Sequence, residues 1–281
     1  MTPRKPIKLI QPERRRFVYV KPAEIHFAMT EWLRLFLTAI QFLTRLPVPE
    51  WVQASEKTLG KATKFFPLVG VMIGAGAALI FLLLRHLLPH SADVLCAIIF
   101  TAFITNGFHE DGLADTFDGF GGGWTKDHAL EIMRDSRLGT YGTMALIFLI
   151  LGKYSFLSAL APGQVWRWLI VAHTASRWTV LPLCAWLPYA RAEGQGKLVA
   201  KQIGKAEIFI GSMTLVGAVL LLSWQAALTA FLVTGLASFL SGLYFRARLS
   251  GLTGDCLGAT NQLTEVTLYL TAIILSRFGL L

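Results

Sequence analysis

From Ile208 to Phe245 the chain runs 38 residues without a single Asp, Glu, Lys or Arg. A helix crosses the hydrocarbon core of a bilayer in about 20 apolar residues, so a stretch of this length predicts two membrane helices in succession. A water-soluble core is the poorer reading. The chain is 54% hydrophobic and 15% charged, against about 45–50% apolar and about 25% charged in soluble domains. Phe65 to Leu84 is a second uncharged stretch long enough to cross.

By the same criterion the segments 65–84, 92–108, 142–161, 165–187, 208–223, 225–245 and 263–280 predict seven transmembrane helices. Trp32 to Leu46 is apolar but only about 15 residues long, short for a crossing. It is bounded by Arg34 and Arg45 and stopped by Pro47 and Pro49, and predicts an interfacial or re-entrant helix. The expected fold is all-α: a polytopic integral membrane helical bundle, forming one membrane domain over 29–281. Residues 1–28 carry Arg14, Arg15 and Arg16 among prolines and lack the apolar core of a secretory signal. They predict a polar, basic N-terminal extension.

A net charge of +9 raises nucleic acid as a partner. The basic residues, however, are spread among short connections rather than gathered on one face, so none is expected. If 109–141 is cytoplasmic, counting spans places 48–64, 188–207 and 246–262 on the same side. Lys57, Lys61, Lys64, Arg191, Lys197, Lys201, Lys205, Arg246 and Arg248 then lie there, while Arg85 and Arg277 are almost alone opposite. This is the asymmetry of the positive-inside rule. Cys96, Cys184 and Cys256 form neither a paired framework nor a C-x-x-C motif, which argues against disulfides and zinc.

Of 17 acids in the chain, four fall in His109-Glu-Asp-Gly-Leu-Ala-Asp-Thr-Phe-Asp118. At about 100° per residue on a helix, Asp111, Asp115 and Asp118 share an arc of about 60°. Three carboxylates on one face repel unless a cation lies among them or they take up protons. Hard oxygen donors suit Mg²⁺, with Mn²⁺ the alternative, and Mg²⁺ bridges carboxylates to substrate phosphates. The segment therefore predicts phosphoryl chemistry; a solvated acidic face is the plain alternative. Gly112, Gly119 and Gly121 to Gly123 offer bare backbone for close approach by a substrate.

Further on, Glu131 and Asp135 are spaced i,i+4, and Arg134 and Arg137 bring forks suited to a diphosphate. Asp135 completes a metal site, orients an arginine, or makes only a local ion pair. In Thr253-Gly-Asp255 to Glu265, Asp255 and Glu265 are candidate ligands and Asn261 a neutral hydrogen-bonding residue, with helix capping the alternative for Asp255. Arg177 and His173 lie inside an apolar run. Arg177 is expected to reach a substrate phosphate from a polar cavity, His173 to be a hydrogen-bonded packing residue, and Lys153 to snorkel to an interface. His109 is expected to point away from the aspartate face.

At these residues the sequence resembles the cobalamin synthase family, the adenosylcobinamide-GDP ribazoletransferases, from about Trp32 to the C-terminus. The resemblance is carried by Gln41-Phe-Leu-Thr-Arg-Leu-Pro47, Phe66-Pro-Leu-Val-Gly70, His109 to Gly119, Asp135-Ser-Arg-Leu-Gly139, Ser176-Arg177 and Thr253-Gly-Asp255, in that order. It implies a polytopic, Mg²⁺-dependent enzyme of the bacterial inner membrane with cytoplasmic active-site loops. The implied reaction joins adenosylcobinamide-GDP to α-ribazole or α-ribazole 5′-phosphate, giving adenosylcobalamin or its 5′-phosphate and GMP.

Carried over, Asp111, Asp115 and Asp118 are the expected catalytic and metal residues, with Asp118 the general base. Asp135, Asp255 and Glu265 are the further expected ligands; Gln262 stands where the family pattern has an acid, which shifts that role to Glu265. Arg134, Ser136, Arg137, Arg177, Gly119 and Asn261 are expected against substrate. The expected partners are the two substrates, the lipid bilayer, other cobalamin-assembly enzymes and a second copy of the chain. Three rival readings are weaker. A CDP-alcohol phosphotransferase opens Asp-Gly-x-x-Ala-Arg, and that arginine is missing after Asp111. A prenyltransferase needs a second Asp-rich motif, and a cation transporter needs acids at mid-membrane depth.

Overall fold

The computed structural model describes residues 22–52, 56–191 and 203–281. Among them every regular element is helical, the arrangement by which a chain in lipid satisfies its backbone N–H and C=O groups within each segment. In order these are α1 (Pro22–Leu43), α2 (Glu56–Ala62), a 3₁₀ turn at Thr63–Phe65, α3 (Phe66–Leu84), α4 (His90–Ile104), α5 (Phe108–Gly122), α6 (Lys126–Ile132), α7 (Thr140–Ser158), α8 (Pro162–Trp178), α9 (Val180–Trp186), α10 (Lys205–Val219), α11 (Trp224–Leu249) and α12 (Gly254–Arg277). Arg34–Leu281 form one compact unit. The expected basic extension lies outside the described residues as far as residue 21, and α1 begins within the rest of it.

Phe103, Phe148, Phe209 and Leu232 stand outward, each more than half exposed, as apolar side chains do where lipid is the solvent. Among the described residues three helical stretches are long and apolar enough to cross a membrane: Thr58–Leu84, Thr140–Ser158 and Trp224–Leu249. The α4–α5 pair makes a fourth if it is counted as one bent span. Seven spans are therefore not established by length and composition. Part of the shortfall has a physical cause, since α8 buries His173 and Arg177 in its last two turns and α12 buries Gln262 and Glu265 toward its middle, and these lower their apolarity.

Two elements differ from expectation. The span read at 165–187 divides into α8 and α9 at Thr179. The acidic segment is helical, as its one-sided aspartates require, but it is set off sharply from the preceding span: Asn106 and Gly107 adopt left-handed backbone, φ 58° and 65°, and the chain turns by 84° from α4 into α5. Glycine takes that conformation at no steric cost, and asparagine tolerates it better than most residues.

Glycines also set the closest helix contacts. A Cβ on Gly70 or Gly74, one turn apart on α3, would collide with the α8 backbone at His173 and Ile170. This is the small-xxx-small logic of helices packed without water. Gly112 and Gly258 serve α5 and α12 in the same way. A Cβ on Gly112 would stand 3.0 Å from the Asp255 carbonyl oxygen, and one on Gly258 would stand 3.2 Å from that of His109.

The apolar core has two main parts. One gathers Phe66, Val69, Leu183, Phe245 and Leu257, the other Phe81, Trp168, Leu215, Ala226 and Leu268. Between Leu257 and Leu268, α12 buries the polar residues Asn261, Gln262 and Glu265.

Candidate active site

The contact between Gly112 and Asp255 brings the two acidic segments together. Asp111 is exposed and Asp115 half-buried on α5, and Asp115 lies within electrostatic reach of Asp111, Asp255, Arg191 and Asp118. Asp111 acts on Asp255 as well. A crevice of about 520 Å³ opens at Asp111, with Asn106, Phe108 and Leu138 in its walls.

Asp255 is held in place by a second connection. The Leu252 N–H donates to the Pro188 carbonyl (2.9 Å) and the Ala190 N–H to the Leu252 carbonyl (2.8 Å). That short parallel pairing carries Arg191 to the start of α12, where its guanidinium lies 2.8 Å from Asp255 Oδ2. The N-cap of α12 is Thr253, whose hydroxyl accepts the Cys256 N–H at 3.2 Å. Capping, the alternative reading for Asp255, therefore falls to its neighbour. Three carboxylates against one guanidinium leave an excess of negative charge that favours a bound cation.

Other expected site residues are placed elsewhere. Asp118 is buried, and its two oxygens accept N–H groups from Gly139 (2.7 Å) and Gly142 (2.9 Å). It anchors the start of α7 by satisfying N–H groups that have no partner within the helix and by meeting its positive dipole end. A Cβ on Gly139 or Gly142 would strike that carboxylate. Gly119 packs against Met133 and the Ala129 carbonyl of the α6 region rather than facing a substrate. Asp135 accepts from Arg137 Nε (2.9 and 3.0 Å) and from its backbone N–H (3.0 Å), and the guanidinium holds the Asp135 carboxyl down at about 2. Arg134 and Ser136 are exposed on the same segment, and no hydrogen bond or ion pair among the described residues ties it to Asp111, Asp115 or Asp255.

Glu265 belongs to a different place. About ten helical residues at about 1.5 Å each separate it from Asp255, and it is fully buried. Its carboxylate meets Lys153 Nζ (2.7 Å), His173 Nδ1 (2.9 Å) and the Arg177 guanidinium, and accepts from Ser176 Oγ at 3.2 Å. Lys153 also donates to Gln262 and approaches Glu110 at 4.0 Å. Two expectations are corrected here. Lys153 does not snorkel, because a buried acid neutralises it in place; Arg177, 1% exposed, is spent on Glu265 rather than open to a phosphate. His173 is the hydrogen-bonded packing residue expected, 2.8 Å from Arg177 Nη1. His109 is buried on the side of α5 turned to this cluster, and the Asn261 amide is buried with neither atom partnered among the described residues.

Sequence reasoning missed Arg191 as the partner of Asp255, and Gln262 and Glu110 as partners of Lys153. The available signal was Lys153 itself, a cation within an apolar run, since such a group predicts a buried counter-ion.

Apolar surface outward, charges paired inside and carboxylates gathered at a helix junction define a helical membrane protein with a polar, carboxylate-rich centre. The chain belongs to the cobalamin-5-phosphate synthase family, whose sequence model matches residues 35–273. It is 42% identical over 245 residues to the adenosylcobinamide-GDP ribazoletransferase of Shewanella sp. (strain W3-18-1), covering 85% of this chain and 94% of that protein. The proteins of the same name from Shewanella baltica (strain OS155) and Shewanella piezotolerans are both 41% identical, over 248 residues (86% and 95%) and 256 residues (88% and 98%). No solved structure matches the chain.

Proposed function

We propose that Asp111, Asp115 and Asp255 form the centre at which this chain, a cobalamin-forming transferase by family, joins adenosylcobinamide-GDP to α-ribazole or its 5′-phosphate. The observation that supports this centre is the approach of Asp255 to Gly112, which gathers acids from two segments more than a hundred residues apart. In the proposed reaction the 3′-hydroxyl of the nucleoside attacks the corrinoid-side phosphorus in line. The bond from that phosphorus to the bridging oxygen breaks, and GMP departs with the electron pair. The hydroxyl proton passes to a carboxylate. Asp115, which no described residue engages in a hydrogen bond or ion pair, suits that step better than Asp118, whose oxygens are already taken.

The donor set fits Mg²⁺, with Mn²⁺ the alternative. Among the described residues no three His, Cys, Asp or Glu side chains stand ready as a ligand group, and Mg²⁺ characteristically takes one or two carboxylates, waters and substrate phosphates. One or two of Asp111, Asp115 and Asp255 would hold the ion, which would supply neutralisation of the diphosphate charge. Arg191 orients Asp255, and the exposed Arg134 is available to the diphosphate. The chain crosses the bacterial inner membrane seven times in this reading, with the acidic centre cytoplasmic. Its support is the gathering of Arg191 and Arg248 at that end: Arg191 pairs with Asp255, and Arg248 donates to the Gly123 carbonyl at 2.7 Å.

The test is GMP release by the purified protein in lipid, supplied with Mg²⁺, adenosylcobinamide-GDP and α-ribazole 5′-phosphate. Loss of product on replacing Asp111, Asp115 or Asp255 by Asn is expected; full turnover by all three variants sinks the assignment.

A further inference from the structure

A groove of about 440 Å³ runs between α5, α7, α11 and α12, and Thr116, Phe117, Phe120, Tyr141, Tyr244 and Phe245 line it. No charged side chain takes part in the lining. Its walls are built rather than incidental. Gly121 lacks the Cβ that would collide with the Tyr141 ring, so that ring lies directly on the α5 backbone. Phe120, next to Gly121 on α5, packs edge-on to Tyr244 with centroids 5.1 Å apart, and Arg248 sits over Phe120 at 5.0 Å while donating to the carbonyls of Phe120 and Gly123.

Thr116 marks the groove as a binding site. In the helices of this protein a threonine hydroxyl repeatedly turns back to the carbonyl four residues earlier, as at Thr105, Thr174, Thr234 and Thr260. The Thr116 hydroxyl does not: it is buried in a residue 4% exposed and has no partner among the described residues. A buried polar atom left without a partner is costly, and Thr116 adjoins Asp115.

We infer that this groove binds the flat, uncharged aromatic base of the acceptor nucleoside. The base stacks between the aromatic walls, and a polar atom of the nucleoside meets the Thr116 hydroxyl. Stacking on aromatic side chains and a single hydrogen bond give such a base both affinity and register. The nucleoside is thereby oriented with its sugar toward Asp115, which sets which hydroxyl can attack. The inference rests on the reading of the acidic cluster as the transfer centre.

The test uses the full chain in phospholipid vesicles. KM is measured separately for α-ribazole 5′-phosphate and for adenosylcobinamide-GDP in wild type, Thr116→Val, Thr116→Ser and Tyr141→Ala, alongside direct retention of labelled α-ribazole 5′-phosphate in dialysis. Loss of one hydrogen bond predicts about a fivefold rise in the acceptor KM for Thr116→Val, with the donor KM unmoved and Thr116→Ser near wild type. Loss of a stacking wall predicts about tenfold or more for Tyr141→Ala. Benzimidazole alone competes with the labelled nucleoside. Unchanged acceptor KM and retention in both Thr116→Val and Tyr141→Ala, or an equal rise in both KM values, overturns the inference, as does competition by lipid acyl chains but not by benzimidazole. Retention by wild type without GMP release would instead sink the transfer reading and leave the groove assignment standing.

Discussion

The Arg177 guanidinium on α8 meets the Glu265 carboxylate on α12 where neither is more than 1% exposed. Glu265 is also the acid that Lys153 and His173 share. The cluster is therefore asymmetric: removing a cation leaves the acid another partner, whereas removing the acid strands Arg177 in the bundle without a counter-ion and leaves Lys153 only the more distant Glu110. Breaking a buried pair costs about 3–5 kcal/mol, so Glu265→Gln lowers the unfolding temperature in detergent more than Lys153→Met does. Glu265→Gln combined with Arg177→Met recovers part of the loss. Equal loss in the two single variants contradicts the shared-acid arrangement.

Asp111 and Asp118 are expected to fail in different ways. Asp118→Asn keeps one acceptor but turns an NH₂ group toward the N–H groups at the start of α7, so stability and activity fall together, by about 1–3 kcal/mol for the unmatched contact. Asp111→Asn removes a carboxylate that has no such structural duty, and activity falls while the unfolding temperature holds. Parallel thermal scans and GMP assays separate the two.

The space between α5 and α12 is tight at Gly112, where even a Cβ would stand 3.0–3.3 Å from the backbone of Asp255 and Gly258. Gly112→Val forces the helices apart at Asp255, and overpacking of this kind costs about 1–3 kcal/mol. The half-saturating Mg²⁺ concentration then rises, because the acids are drawn apart, and a variant with unchanged Mg²⁺ dependence counts against a shared centre.

Arg191 offsets part of the negative charge around Asp255. Coulomb's law gives the sign for Arg191→Gln: with the guanidinium gone, the site attracts a divalent cation more strongly, so half-saturating Mg²⁺ falls even as turnover drops with the misoriented Asp255. A Mg²⁺ titration of GMP release reads both quantities, and a rise in half-saturation reverses the assigned role.

Trp124 and Leu87 are exposed in the connections after α5 and after α3. Cysteines placed there, in a chain otherwise freed of cysteine, are expected to react with membrane-impermeant reagents from opposite sides of oriented vesicles. Labelling from the same side refutes the proposed order of crossings.

Much of this molecule was legible in the chain because lipid imposes few options. An uncharged run from Ile208 to Phe245 has to be helical, and a cluster of aspartates at i, i+4 and i+7 shares one face whatever surrounds it. Local periodicity is enough for such statements. It does not tell which carboxylate is structural and which is free. Asp118 and Asp111 look alike in sequence, yet two N–H groups from Gly139 and Gly142, over twenty residues on, take up the first and leave the second. Glu265 looked like a ligand beside Asp255 until the rise of α12 carried it into the bundle among Lys153, His173 and Arg177. Those partners come from two other helices, α7 and α8, and Arg191 reaches Asp255 only through the pairing of Pro188–Ala190 with Leu252. Composition and helical period determined that this chain is a membrane bundle with acids on one face. Which acids meet one another was decided by helix packing at Gly112 and Gly258, since electrostatic partnership depends on distance in space and not on separation along the chain.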